Sequence, residues 1–439
     1  MTEYAYNASL AGMNYDVALQ GINTIQLGLV GYSDRLPVLL ERIITMMRTL
    51  PDHLERETFE RVRQATERTY LNTRLDEAFR YGVNQSHFLT HEGGYLNDDR
   101  IATIPHCTYE RFLDHCRRLY QQLYFEAFVY GNLYEADALA LIDGIQKQLQ
   151  ADSLPLLPSQ RQWGGRMIQL ADQVEYIFPC THPNPDNRNC VVDGMFQIGR
   201  ETMAERVRLA LVGQIASEPF FDKLRTQEQL GYTVFSMPFR RAGVQMFRFI
   251  VQSNVARPEF IQSRVEAFWK ELRATIVSLS HEQFQKFVGA VVKEYTEKPQ
   301  SQEEEVQALV TEIWDQAYVF DRKAQLARLV QTLQVQEIVE FFDTYIAADA
   351  PKRKMLSVHV YSESEQLPTL DRDEGVNSMA VATAAIASVA LNDSADASTA
   401  SAHAKQVIIR CPHKFKREMP LFSLPATKVV NLQTSTNFQ

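Results

Sequence analysis

The stretch SEPFFDKLRTQEQLGY, residues 217–232, is the densest run of chemistry in this 439-residue chain. Its charges include Glu218, Asp222, Arg225 and Glu228, and its rings are Phe220, Phe221 and Tyr232. Gly231 permits an unusual backbone angle just ahead of Tyr232. A guanidinium and a tyrosine hydroxyl are both donors, suited to holding a peptide carbonyl or a carboxylate if they face one concave surface. The same residues also suit a capped helix end with Arg225 paired to Glu228 or Asp222. Spacing alone leaves both open.

Outward from this stretch the chain reads as alternating helices and strands. A long helix is expected over residues 202–216, and a strand pair over 233–239 and 245–253. Helices follow at 258–279, 281–297 and 302–318. Upstream, strands at 166–178 and 189–198 flank a Pro/Asn-rich turn. Pro155, Pro158, Gly164 and Gly165 mark a linker at 154–165.

The N-terminal part begins with a helix at 3–14. Ile25, Leu27 and Leu29 then alternate as in a strand, and Leu36, Leu39, Leu40, Ile43, Ile44 and Met47 recur at helical spacing behind Pro37. Helices are expected at 56–79, 108–123 and 132–149, with a strand at 124–130. Strand and helix order repeats downstream: Phe59 corresponds to Phe284 and Phe112 to Ile338, at a nearly constant separation. That points to two copies of one α+β unit, each of domain size.

A net charge of -9 argues against a nucleic-acid or anionic-membrane surface. No apolar run approaches the roughly 18 residues of a membrane span. The start carries no secretory pattern, and five cysteines without a C-x-x-C pair suggest reduced thiols. A cytoplasmic protein is therefore expected. Residues 377–404 are almost wholly Ala, Ser, Thr, Val and Asp, the composition of a disordered tether.

His87 and His91 are the one i, i+4 histidine pair, but no carboxylate lies between them to serve as a general base. H-E-x-x-H, H-x-x-E-H, G-x-S-x-G and phosphate-loop strings are absent. Cys190 and His182 lack an evident orienting third group.

At 217–235 the string SEPFFDKLRTQEQLGYTVF resembles the signature in the C-terminal half of insulin-degrading-enzyme-type zinc peptidases, the M16 family that also holds pitrilysin and nardilysin. The resemblance continues in EYAYNASLAGMNYD (3–16), FRFIVQS (247–253), SRVEAF (263–268), DAPKRKMLSVHV (349–360) and FKREMPLF (415–422).

It implies two homologous M16-type α/β sandwich domains, each a mainly antiparallel sheet packed by helices. Residues 1–153 would be the third domain of the family, lacking its first strands, and 166–365 the fourth. A low-complexity insert at 377–405 and a tail at 406–439 that packs back would follow. The resemblance assigns Arg225 and Tyr232 to the catalytic cleft and Phe221 to the substrate pocket. The Zn2+ of the complete enzyme would be bound by an N-terminal half bearing H-x-x-E-H, and this chain would bind none. The implied partners are that half, on the same precursor or a separate chain, and peptide substrates; a homodimer stays open. The whole would be a metalloendopeptidase working in an enclosed chamber, and this chain alone would be inactive. The rival is a non-catalytic M16-like protein that binds peptides or a subunit. Where some relatives carry a lysine cluster for polyanions, residues 297–305 (EKPQSQEEE) hold only Lys298, so polyanion regulation there is not expected.

Overall fold

In the computed structural model the described residues are 2–21, 24–150, 152–153, 165–365, 367 and 405–423. The linker at 154–164, nearly all of the insert at 377–405 and the tail beyond 423 lie outside them.

The first part of the chain folds as α1 (Thr2–Leu10), β1 (Asn14–Gln20), β2 (Thr24–Val30), α2 (Leu36–His53), α3 (Arg56–Asn72), α4 (Ala78–Thr90), α5 (Asn97–Thr103), α6 (Tyr109–Leu119), β3 (Gln122–Leu123), α7 (Glu135–Leu149) and β4 (Asp152–Ser153). The second begins with β5 (Val174–Thr181), β6 (Cys190–Arg200), α8 (Met203–Phe221), β7 (Thr233–Arg241), β8 (Val244–Ser253) and α9 (Pro258–Val277). It continues with α10 (His281–Thr296), α11 (Gln302–Trp314), α12 (Arg322–Val330), α13 (Val335–Tyr345), β9 (Lys354–Tyr361), β10 (Lys405–Ile408) and α14 (Pro412–Glu418).

Six strands form one mixed sheet in the order β10-β5-β9-β6-β8-β7. β10, β5 and β9 run parallel, and β6 pairs antiparallel with both β9 and β8, as β7 does with β8. β6 is buried from Cys190 through Ile198, as a central strand covered on both faces must be. Gly194 makes this possible, because a Cβ there would lie 2.1 Å from the Phe249 ring.

One face is covered by α8, α9 and α13, with α10 and α12 outside them. Their core centres on Trp269, ringed by Phe196, Phe220, Phe247, Phe249 and Phe268. α8 is buried on several sides, at Val207, Leu209, Leu211, Val212, Ile215 and Ala216, because it lies between the sheet and the outer helices. It starts at Thr202, whose hydroxyl accepts from the Glu205 amide at 3.1 Å.

The opposite face is covered by α4, α14 and residues Met167–Ile168. The pairing that ties α4 to the sheet is polar. Arg248 on β8 donates to Asp193 on β6 at 2.7 Å, and both meet Ser86 on α4, at 2.8 and 2.7 Å. Asp193 is fully buried.

The structure is α+β, with several corrections to the sequence expectations. The first helix stops at Leu10; Gly12, at φ 72°, turns the chain into β1, which pairs with β2. The helix expected at 56–79 breaks at Asn72, and the chain restarts as α4 to cover the far face of the large sheet. Residues 166–173 are not strand: Met167 and Ile168 make only isolated bridges, and Gln173, at φ 56°, forces a turn before β5. Residues 124–130 form no strand, since no described strand lies alongside to pair with them, so the apolar pattern there has no ladder to join. The strand-for-strand repeat between the two halves fails at that point.

Candidate functional site

The site is built where α8 ends. The helix continues past Ala216 to Phe221, with Pro219 inside it, and then widens. The Glu228 amide donates to the Lys223 carbonyl at 3.0 Å, an i→i+5 bond of the π type, and the Leu230 amide donates to the Leu224 carbonyl at 2.9 Å. Such widened turns add a residue to the helix and are frequent at functional sites. Gln229 takes φ 53° to leave the turn. Leu224 and Leu230 are buried and pin the loop from beneath. Gly231 is required, because a Cβ there would sit 1.8 Å from the Gln252 carbonyl oxygen of β8.

This backbone sorts two adjacent rings in opposite directions. Phe220 is fully buried and stacks on Trp269, with centroids 5.5 Å apart. Phe221 is 40% exposed and Tyr232 80% exposed. Between those two lies Arg225, its guanidinium carbon 4.7 Å from the Phe221 centroid and 4.3 Å from that of Tyr232. All three sequence-predicted residues therefore come together in one cation–aromatic sandwich.

The alternative reading of a capped helix end, with Arg225 in an ion pair, is overturned. Glu228 is gripped by Arg264 of α9 through two bonds of 2.8 Å. That hydrogen bonding holds the Glu228 carboxyl below the usual range. Asp222 accepts from Gln227 at 2.7 Å. Among the described residues no carboxylate pairs with Arg225 and no hydrogen bond engages the Tyr232 hydroxyl. Two donors thus stand open on a rigid base, able to meet a carbonyl or carboxylate oxygen. Arg264 is the supporting residue that spacing missed, since it lies far from the loop in sequence.

His87 and His91 stack on α4 and the turn after it, with ring centroids 5.1 Å apart. Burial, then the charges of Arg241 and His91, push His87 down to about 3. Glu92, the nearest carboxylate in sequence, is bound to Arg166 at 2.8 and 3.0 Å. No group of three or more His, Cys, Asp or Glu able to hold a metal comes together among the described residues. The residues described here do not fit a zinc ion.

Residues 1–103 match the family described as the middle or third domain of peptidase M16, and residues 211–310 match the PQQ synthase PqqF-like C-terminal lobe domain 4. Insulin-degrading enzyme of Homo sapiens is 32% identical over 427 residues, 97% of this chain and 40% of that protein. The chain belongs to the insulin-degrading-enzyme-like M16 family. A putative zinc protease, mug138, of Schizosaccharomyces pombe is 30% identical over 82% of this chain and 37% of its own length. The crystal structure of pitrilysin superposes with a TM-score of 0.76 at 20% identity, covering 96% of this chain and 40% of that one. This M16 chain thus spans about 40% of the length of these relatives. No helix among its described residues is long and apolar enough to cross a membrane.

Proposed function

We propose that this chain is the substrate-gripping, C-terminal half of an M16-type zinc metalloendopeptidase that degrades peptides in an enclosed chamber. Residues 1–153 and 166–365 would be its third and fourth domains. The observation that carries the reading is the Arg225 sandwich: a guanidinium with no ion pair and a tyrosine hydroxyl with no hydrogen bond among the described residues, presented together on a loop braced from beneath by buried Leu224 and Leu230. In this reading Tyr232 donates its hydroxyl to the scissile carbonyl oxygen as negative charge builds there, which is worth most in a site closed to water. Arg225 orients a neighbouring carbonyl or carboxylate, and Phe221 packs the substrate side chain. Zn2+ belongs to a second half carrying H-x-x-E-H, on the same precursor or another chain. A cytoplasmic location is part of the proposal.

The test is a mixing experiment on a quenched fluorogenic peptide, with this chain, a purified zinc-bearing M16 half, and a chelator control. Chelator-sensitive cleavage that appears only on mixing is expected. Association without cleavage would turn the reading to a non-catalytic peptide- or subunit-binding protein, and full activity of this chain alone would overturn the proposal.

A further inference from the structure

A groove of about 530 Å³ runs along the large sheet between α8, α10 and β7, and none of Phe221, Arg225 and Tyr232 lines it. β7 is an edge strand among the described residues, so one side of its backbone is unpaired. Pro238 fixes which residues face outward. A proline in a strand sits with its nitrogen on the open side, and residues of the same parity then direct their backbone groups outward too. These are Val234, Ser236 and Arg240. Gly213 of α8 lets the helix close on this strand, since a Cβ there would lie 2.6 Å from the Pro238 ring.

Three features distinguish the groove from an ordinary sheet edge. First, Ser236 is only 5% exposed and lines it, yet its hydroxyl has no hydrogen-bond partner among the described residues. A buried hydroxyl left unpaired is costly, so its partner is expected from outside the chain. Second, Pro238 and Phe287 supply an apolar floor. Third, the cations of the lining are already neutralised. Arg206 pairs with Glu201 at 2.6 Å, and Arg240 pairs with Glu201 at 2.9 Å and with Asp315. Glu218 and Glu294 line the same groove and enter no ion pair among the described residues, which leaves the groove acidic.

We propose that this groove binds an extended peptide segment, added as a strand to the free edge of β7, with a basic side chain directed to Glu218 or Glu294. Strand addition explains the free backbone groups, the apolar floor takes alternate side chains, and the two carboxylates select Lys or Arg. The inference deepens the reading of this chain as a peptide-gripping half and rests on it for the class of ligand. It is measured by binding alone, so its outcome is separate from that of the mixing experiment.

The experiment uses the full chain without any zinc-bearing half. Fluorescein-labelled octapeptides in a Val/Thr frame, carrying Lys, Arg, Ala or Glu at one central position, are titrated by anisotropy. Lys and Arg peptides should bind about tenfold more tightly than the Glu peptide. The double variant E218K/E294K, on exposed positions, should abolish that preference at an unchanged Tm. A backbone N-methylated twin of the Lys peptide should lose binding, and hydrogen exchange at Val234 and Ser236 should slow when the unmodified peptide is present. Equal affinity for Lys and Glu peptides, binding indifferent to E218K/E294K or to N-methylation, or no binding of any peptide would each overturn the proposal.

Discussion

Arg225 could be placed on a helix end from the sequence, but its partner could not. Glu218, Asp222 and Glu228 all lie near it in the chain, and only packing shows that Glu228 is taken by Arg264 and Asp222 by Gln227. Two expectations belong to this scale. Tyr232→Phe removes one hydroxyl from a side chain that is 80% exposed. It should lower kcat of the mixed enzyme about 100-fold with Tm unchanged, the loss expected for one donor to a developing oxyanion. Peptide assays and thermal melts on the same preparation check it, and full activity would remove Tyr232 from the cleft. Gly231→Ala should lower activity and Tm together, because its Cβ would overlap the Gln252 carbonyl and push the loop off β8. A G231A variant that melts like the parent would show that the loop does not need this close approach.

At the scale of elements, α4 is the clearest case of long-range choice. Its residues have helical character, but nothing local directs them across a sheet whose strands come roughly a hundred residues or more later. Arg248, Asp193 and Ser86 do, by leaving a buried charge that only their mutual contact satisfies. Arg248→Ala leaves Asp193 buried without its cation and should cost about 3–5 kcal/mol. The double variant Arg248→Met, Asp193→Leu should recover most of that. Urea unfolding of the three proteins decides: equal losses in the single and double variants would mean that packing, not charge, binds α4. The long helices at 258–277 and 281–296 were legible because their apolar residues recur at helical spacing. The strand expected at 124–130 was misread because strand propensity describes a side chain's fit to a ladder and supplies no neighbour.

For the whole molecule the buried titratable groups set an acid limit. Burial holds His87 at about 3 and His359 at about 4, against an ordinary value of 6.5. In the unfolded chain both take up protons as pH falls below about 6.5, while the folded protein does not, so stability falls on acidification through that window. Glu228 is lowered by its hydrogen bond to Arg264. Glu201 is lowered too: burial alone would raise it, but the charges of Arg240, Arg206 and Arg322 together prevail. Their stabilisation is present above the unfolded carboxylate value of about 4.3 and is lost as pH drops below it. Thermal melts from about pH 8 to about pH 4 should therefore decline from about 6.5, well before carboxylates titrate. His87→Gln should flatten the upper part of that decline, and an unaltered slope would contradict the assignment.

The sequence by itself determined the α+β class and the kinship with insulin-degrading-enzyme-like M16 peptidases, and it singled out Phe221, Arg225 and Tyr232, which the structure brings together. Each depends on residues near one another in the chain, where period, spacing and a shared string carry the information. The tertiary structure alone decided the strand order, the path of α4, the partner of Glu228 and the freedom of Arg225. Ion pairs and ladder neighbours are settled by competition among groups brought close only by folding, and a linear string holds no record of which competitor is nearest in space.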